Sequence, residues 1–151
     1  MKQARIDLLQ SMPVFGGVSK EALEFLIDHS TILHLSSGEY FFREGDSAVS
    51  MFVLEQGKVV VSKQWKGESH LLEQLSHGDC FGEMALLDLF PRSASVMAME
   101  TCHAIELHHA TLLKLYQFNL EQFTIIQMNI GREISRRLRA ADNQLFESRF
   151  S

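Results

Sequence analysis

Five glycines, Gly38, Gly45, Gly57, Gly67 and Gly78, cut the stretch from Thr31 to His109 into apolar runs too short for helices. Segments such as Leu33-His34-Leu35 and Ile105-Glu106-Leu107 alternate apolar with polar residues, the period of a strand that is half covered. Val59-Val60-Val61 reads as a strand covered on both faces, and Lys66-Gly67-Glu68 as a hairpin tip. Short strands at regular spacing with turn residues between them suggest a barrel or jelly roll. This pattern limits the chain to an all-β middle.

Both flanks read as helix. Residues 1–12 form a short amphipathic segment with Ile6, Leu8, Leu9 and Met12 as its apolar members. Ser19 is a good N-cap for a helix to about Ser30, with Leu23, Leu26 and Ile27 facing inward. Helix returns over Thr111–Phe118, and Asn119 caps a longer one to about Phe146. In that last helix Phe123, Ile126, Ile130, Ile134, Leu138, Ala141 and Leu145 recur every three or four residues. The stripe is longer than a small barrel can cover, which makes pairing with the same helix of a second copy the expected use of its far end. The expected class is α+β: one domain over 1–151, with helices over 1–30, a barrel over 31–109 and helices over 111–147.

At 151 residues with 46% hydrophobic and 22% charged content, the chain suits a single soluble domain with a proper core. No apolar run approaches membrane-spanning length and no signal-peptide pattern opens the sequence, so no membrane contact and a cytoplasmic location are expected. Cys80 and Cys102 have no metal-type spacing and read as free thiols. A net charge of −5 argues against a general nucleic-acid surface.

The chemistry concentrates in residues 81–96, FGEMALLDLFPRSASV. Glu83 can accept from a sugar hydroxyl, and Arg92 can grip phosphate oxygens in a two-pronged pair. Gly82 allows backbone to approach a ligand. Met84–Leu89 suits a single helical turn, whose start would aim free N–H groups at an anion, and Pro91 ends it. A structural ion pair between Glu83 and Arg92 is the competing reading.

Phe81-Gly82-Glu83, a short apolar turn, and Pro91-Arg92-Ser93-Ala94-Ser95-Val96 resemble the phosphate-binding cassette of cyclic nucleotide-binding domains. Ser37-Gly38-Glu39, Phe42-Arg43-Glu44-Gly45-Asp46, the run Phe52–Val59, Gly78-Asp79 and Arg136-Arg137-Leu138 extend the likeness from Leu9 to Asp142. The resemblance implies a double-stranded β-helix, a jelly-roll-like barrel, flanked by the helices. It implies that Glu83 holds the ribose 2′-hydroxyl and Arg92 the cyclic phosphate. Backbone amides at Gly82, Ala85 and Ser93 complete the phosphate cradle, with Met84 and Ala94 beside them. The implied ligand is cyclic AMP first and cyclic GMP second, with no cofactor.

Base recognition is less determined. Ser93 can donate to the phosphate or to a guanine edge. The family's catabolite-activator branch carries hydroxyl side chains just after the Arg-Arg-Leu run, and here Ala141 and Asp142 stand there instead. Asp142 could accept from the adenine amine or from guanine N1–H and N2–H, or simply face water. Leu138 could pack over the purine. Val61, Leu72 and Leu75 are candidate pocket walls or plain core.

Asp28-His29 and His108-His109 lack the further ligands a metal site needs, so no metal is expected. Arg132, Arg136, Arg137 and Arg139 give the last helix a basic face, solvated or turned to an acidic partner. No nucleophile–base pair or carboxylate dyad is visible, so an enzyme is not expected. The expected role is a sensing module in which the ligand repositions the last helix, with a homodimer through that helix and an unidentified protein partner downstream. A ligand-free dimerisation scaffold, or the sensor part of a larger transcription regulator or channel, is the alternative. A regulator of the catabolite-activator type needs a helix-turn-helix after the long helix, and few residues follow Phe146, so no direct DNA contact is expected.

Overall fold

The computed structural model describes residues 2–150. Helix α1 covers Lys2–Gln10 and α2 covers Lys20–Asp28, joined by a 3₁₀ turn at Pro13–Phe15. Ser19 caps α2, its hydroxyl accepting from the Ala22 amide at 3.2 Å. Eight strands follow: β1 Thr31–Leu35, β2 Tyr40–Phe42, β3 Ser50–Gln56, β4 Val59–Trp65, β5 Glu68–Leu75, β6 Cys80–Phe81, β7 Ser95–Ala98 and β8 Cys102–His108. They form two four-stranded antiparallel sheets, ordered β1-β8-β3-β6 and β2-β7-β4-β5. The β4–β5 hairpin turns on Lys66 and Gly67, both at positive φ, as a two-residue turn requires. Helices α3 (His109–Phe118) and α4 (Leu120–Phe150) complete the chain. The architecture is an α+β sandwich of two sheets set between N-terminal helices and a long C-terminal helix.

Period two along β3 explains why that strand is buried on both sides. Phe52 and Leu54 point into the sandwich with Phe81, Val59, Val96 and Ala104. Met51 and Val53 point the other way, into a second core with Ile105 and Leu107 of β8. That second core is closed by α1, α2 and α3 through Ile6, Leu9, Leu23, Leu26 and Leu115, and by Ile126 and Ile130 of α4.

The stripe on α4 therefore has two fates. Ile126 and Ile130 are buried, and Phe123 and Ile134 pack partly against the core. Beyond them Leu138, Leu145, Phe146 and Phe150 are exposed. Asn119 starts the helix, its side-chain oxygen accepting from the Gln122 amide at 3.2 Å. The helix runs to Phe150, one turn past the expected end. Two further expectations shift slightly: Met12 is buried but lies beyond α1, and α3 begins at His109 because the His108 ring accepts from the Ala110 amide. Among the described residues, no helix is long and apolar enough to cross a membrane.

Candidate functional site

The cassette leaves β6 at Phe81 and turns through Gly82, whose φ of +77° is the left-handed conformation that glycine adopts without cost. A 3₁₀ turn over Glu83–Leu86 follows, shorter than the turn expected over Met84–Leu89. Leu89 takes φ +56°, a left-handed conformation unusual for a leucine, and the chain then reaches Pro91 and Arg92. Backbone bonds between Gly45 N and Arg92 O, and between Arg92 N and Asp46 O, both 2.8 Å, tie the far lip to the β2–β3 loop.

Two charged side chains of the cassette are buried: Glu83 at 3% exposure and Arg92 at 8%. They do not pair with each other. The Arg92 guanidinium carbon sits over the Phe42 ring, 3.9 Å from its centroid, beside a cluster of Phe41, Phe42, Phe52 and Phe81. Its Nη2 donates to Ser50 O at 2.7 Å and its Nη1 to Gly82 O at 3.3 Å. Its Nε is buried without a hydrogen-bond partner among the described residues, as is Ser50 Oγ. Burial pulls the guanidinium below its ordinary value, partly offset by Asp46, Glu106 and Glu83. An arginine stays charged through such a shift. A buried cation with an unused donor, held by neutral carbonyls, suits an anion.

Glu83 has a different partner. Its Oε1 accepts from Arg137 Nη1 of α4, and Arg137 Nε also lies 3.6 Å from Glu133 Oε1. Arg136 donates to the same Glu133 oxygen. The last helix thus reaches over the cassette through one guanidinium shared between two carboxylates. The thiol of Cys80 borders the same space, and burial, with a smaller push from Glu83, raises it to about 12.

These groups surround a cavity of about 360 Å³, the size of small-ligand sites. Of the residues singled out from sequence, Gly82, Glu83, Met84, Ala85, Arg92, Ser93, Ala94, Val61 and Leu75 line it. The Ala85 amide bonds within the turn, to Gly82 O at 3.1 Å. Leu72, Leu138 and Asp142 are outside the lining. On β5 Glu73 and Leu75 share the cavity face, while Leu72, the extra residue where the β4–β5 ladder shifts register between Val61 and Ser62, is 57% exposed outside it. On α4 the residue facing the cavity is Arg137. Leu138, 62% exposed, is rotated about 100° from it, and Asp142 lies more than a turn further along.

Sequence reasoning passed over Phe42, Ser50, Glu73 and Arg137 as site residues. Phe42 and Ser50 come from other strands, and only the fold brings them under Arg92. Arg137 stood in the Arg-Arg-Leu run and Glu73 two residues before Leu75, so period two applied to Leu75 would have found Glu73.

A cyclic nucleotide-binding domain profile matches residues 32–119, more than half of the chain. A cyclic AMP receptor protein of Thermus thermophilus is 28% identical over 138 residues, covering 91% of this chain and 62% of that protein. A cAMP-dependent protein kinase regulatory subunit of Debaryomyces hansenii is 35% identical over 95 residues, covering 63% of this chain and 20% of that one. The crystal structure of Thermus thermophilus catabolite activator protein superposes with a TM-score of 0.81 at 28% identity, over 92% of this chain and 64% of that one. The chain thus spans less than two thirds of these relatives. With the cassette, the two-sheet sandwich and the matched profile in agreement, this chain belongs to the cyclic nucleotide-binding domain family.

Proposed function

We propose that the chain is a cyclic nucleotide sensor, with cyclic AMP as first ligand and cyclic GMP as second. The observation that carries this reading is Arg92: it lines the cavity as a buried charge fixed by the Ser50 and Gly82 carbonyls, with its Nε left unpartnered among the described residues. A buried donor without a partner costs on the order of 1–3 kcal/mol. A singly charged cyclic phosphate supplies both the acceptor and the counter-charge. Glu83, within the same cavity, takes the ribose 2′-hydroxyl, and the cassette amides at Gly82 and Ser93, joined by that of Ala85 once it leaves Gly82 O, complete the phosphate contacts. The order of the two ligands leans on the relative that covers most of this chain, named a cyclic AMP receptor protein, while shorter matches carry the names of both cAMP-dependent and cGMP-dependent protein kinases.

The same geometry supports a switch. Arg137 holds the carboxylate that the ribose needs, so ligand entry and the position of α4 compete or cooperate at one group. A ligand moves α4 only to the extent that it binds one position better than the other. The role is binding and signalling, without catalysis. The exposed far half of α4, with Leu138, Leu145, Phe146 and Phe150, supports a homodimer through that helix; it also fits a scaffold that binds no nucleotide.

A thermal-shift series with cyclic AMP, cyclic GMP and 5′-AMP separates the two. A sensor gains stability as RT ln(1 + [L]/Kd) with a cyclic nucleotide. A flat response to both cyclic nucleotides at millimolar concentration favours the scaffold.

A further inference from the structure

Three arginines of α4, Arg132, Arg136 and Arg139, are spaced by four and three residues, which lines them up on one face of the helix. At about 100° per residue, Arg132 lies about 160° round from the buried Ile130, and Arg139 about 180°. The row is thus on the side turned away from the core, and all three side chains are exposed. Arg137 points the other way, into the cassette cavity. Arg136 donates to Glu133 one turn back, and Arg132 to Asn129 Oδ1 at 3.1 Å. Neither Arg132 nor Arg139 has an ion-pair partner among the described residues. Residues 131–140 set four arginines against one carboxylate, Glu133, on a chain whose net charge is −5.

Between the arginines the helix surface is low. Met128, Gly131 and Ser135 border one shallow concavity with them. A Cβ on Gly131 would meet nothing within 4 Å, so no contact inside the chain calls for glycine there. Glycine weakens an exposed helix relative to alanine. What it supplies is room for another backbone to come close. Met128, 52% exposed, adds a flexible apolar contact beside that room.

We propose that this face docks an acidic helix of a partner protein, with carboxylates spaced to match the arginines. Facing helices share the same rise, so such carboxylates meet Arg132, Arg136 and Arg139 in register over about 10 Å. A ridge of the partner helix seats over Gly131 and Ser135 while its carboxylates reach the guanidiniums at the rim. The acidic excess over the rest of the chain repels a long polyanion, whose charge continues past the patch. A short acidic helix meets the arginines alone.

Fluorescence anisotropy of the full chain with a labelled, alanine-based helical peptide carrying glutamates at the matching positions tests this. The control is the same peptide with glutamines. The chain is expected to bind the glutamate peptide, less tightly as salt rises, and the glutamine peptide roughly tenfold more weakly. Arg132→Gln combined with Arg139→Gln is expected to weaken the glutamate peptide by roughly two- to thirtyfold. Gly131→Leu fills the concavity without touching charge. It is expected to weaken binding while the thermal midpoint holds or rises, which separates lost docking from lost fold. Equal binding of the two peptides, absence of binding by both, or equal binding by the parent and the arginine variant overturns the proposal. So does tighter binding to phosphatidylserine vesicles or to polyuridylate than to the peptide. Self-association that the arginine variant abolishes, without peptide binding, assigns the face to a second copy and overturns it too. The titrations use no nucleotide, so their outcome stands apart from the cyclic-nucleotide reading.

Discussion

Arg137 of the last helix donates to the buried carboxylate of Glu83, 54 positions earlier in the chain, and this contact joins α4 directly to the cassette. Arg137 is half-exposed while Glu83 is nearly enclosed. The pair is therefore asymmetric: removing the arginine strands a buried charge, whereas the arginine itself can turn to Glu133 or to water. Arg137→Gln is expected to destabilise the fold by about 1–2 kcal/mol, read from urea unfolding. An unchanged midpoint contradicts the latch.

Gly82 and Leu89 share the left-handed conformation with opposite fitness for it. A Cβ on Gly82 would sit 2.7 Å from Arg92 Nη1 and 3.2 Å from Ser50 O. Gly82→Ala is expected to lower stability by at least about 1–2 kcal/mol and to displace Arg92, weakening nucleotide binding as well. Leu89→Gly should do the reverse for stability. It relieves about 1–2 kcal/mol of strain against about 0.5–1 kcal/mol of added chain entropy. A small rise in thermal midpoint is expected, and a clear fall contradicts it.

Cys80 gives a pH signature. Burial first, then Glu83, raises its thiol from 9.0 to about 12. Between those values the folded chain keeps a proton that the unfolded chain releases. The contribution is thus fully present below pH 9 and is lost as pH rises toward 12. Unfolding midpoints of the parent and Cys80→Ala should diverge in slope above pH 9, the parent falling faster. Parallel curves contradict the buried thiol.

The α4 stripe makes a prediction about assembly. Its first half is consumed by the core through Ile126 and Ile130, and its second half is exposed at Leu138 and Leu145. Leu138→Asp combined with Leu145→Asp is expected to turn a dimer into a monomer in sedimentation runs, with little loss of fold. A parent chain that sediments as a monomer at high micromolar concentration contradicts assembly through this face.

These particulars show how far sequence alone reaches. The glycine-punctuated strands and the Ser19 and Asn119 caps are local signals, and the fold follows them. Glu83 and Arg92 were legible because their types and spacing sit within one short loop. Their actual neighbours were not, because Ser50, Phe42 and Arg137 arrive from β3, β2 and α4. The sequence offers Leu72 as a pocket wall beside Val61 and Leu75, and the family resemblance offers Asp142 because it follows the Arg-Arg-Leu run. Leu72 is the extra residue of the β4–β5 register shift and lies outside the cavity lining, and helix rise and rotation carry Asp142 past it.

Arg92 carries the central claim, and calorimetric titration of the parent chain and Arg92→Ala with cyclic AMP tests it most directly. The parent is expected to bind, and loss of the buried phosphate partner to weaken binding by on the order of a hundredfold or more. Circular dichroism checks that the variant remains folded. Equal affinity in the two chains, both folded, contradicts the assignment of Arg92 as the phosphate anchor and with it the proposed site.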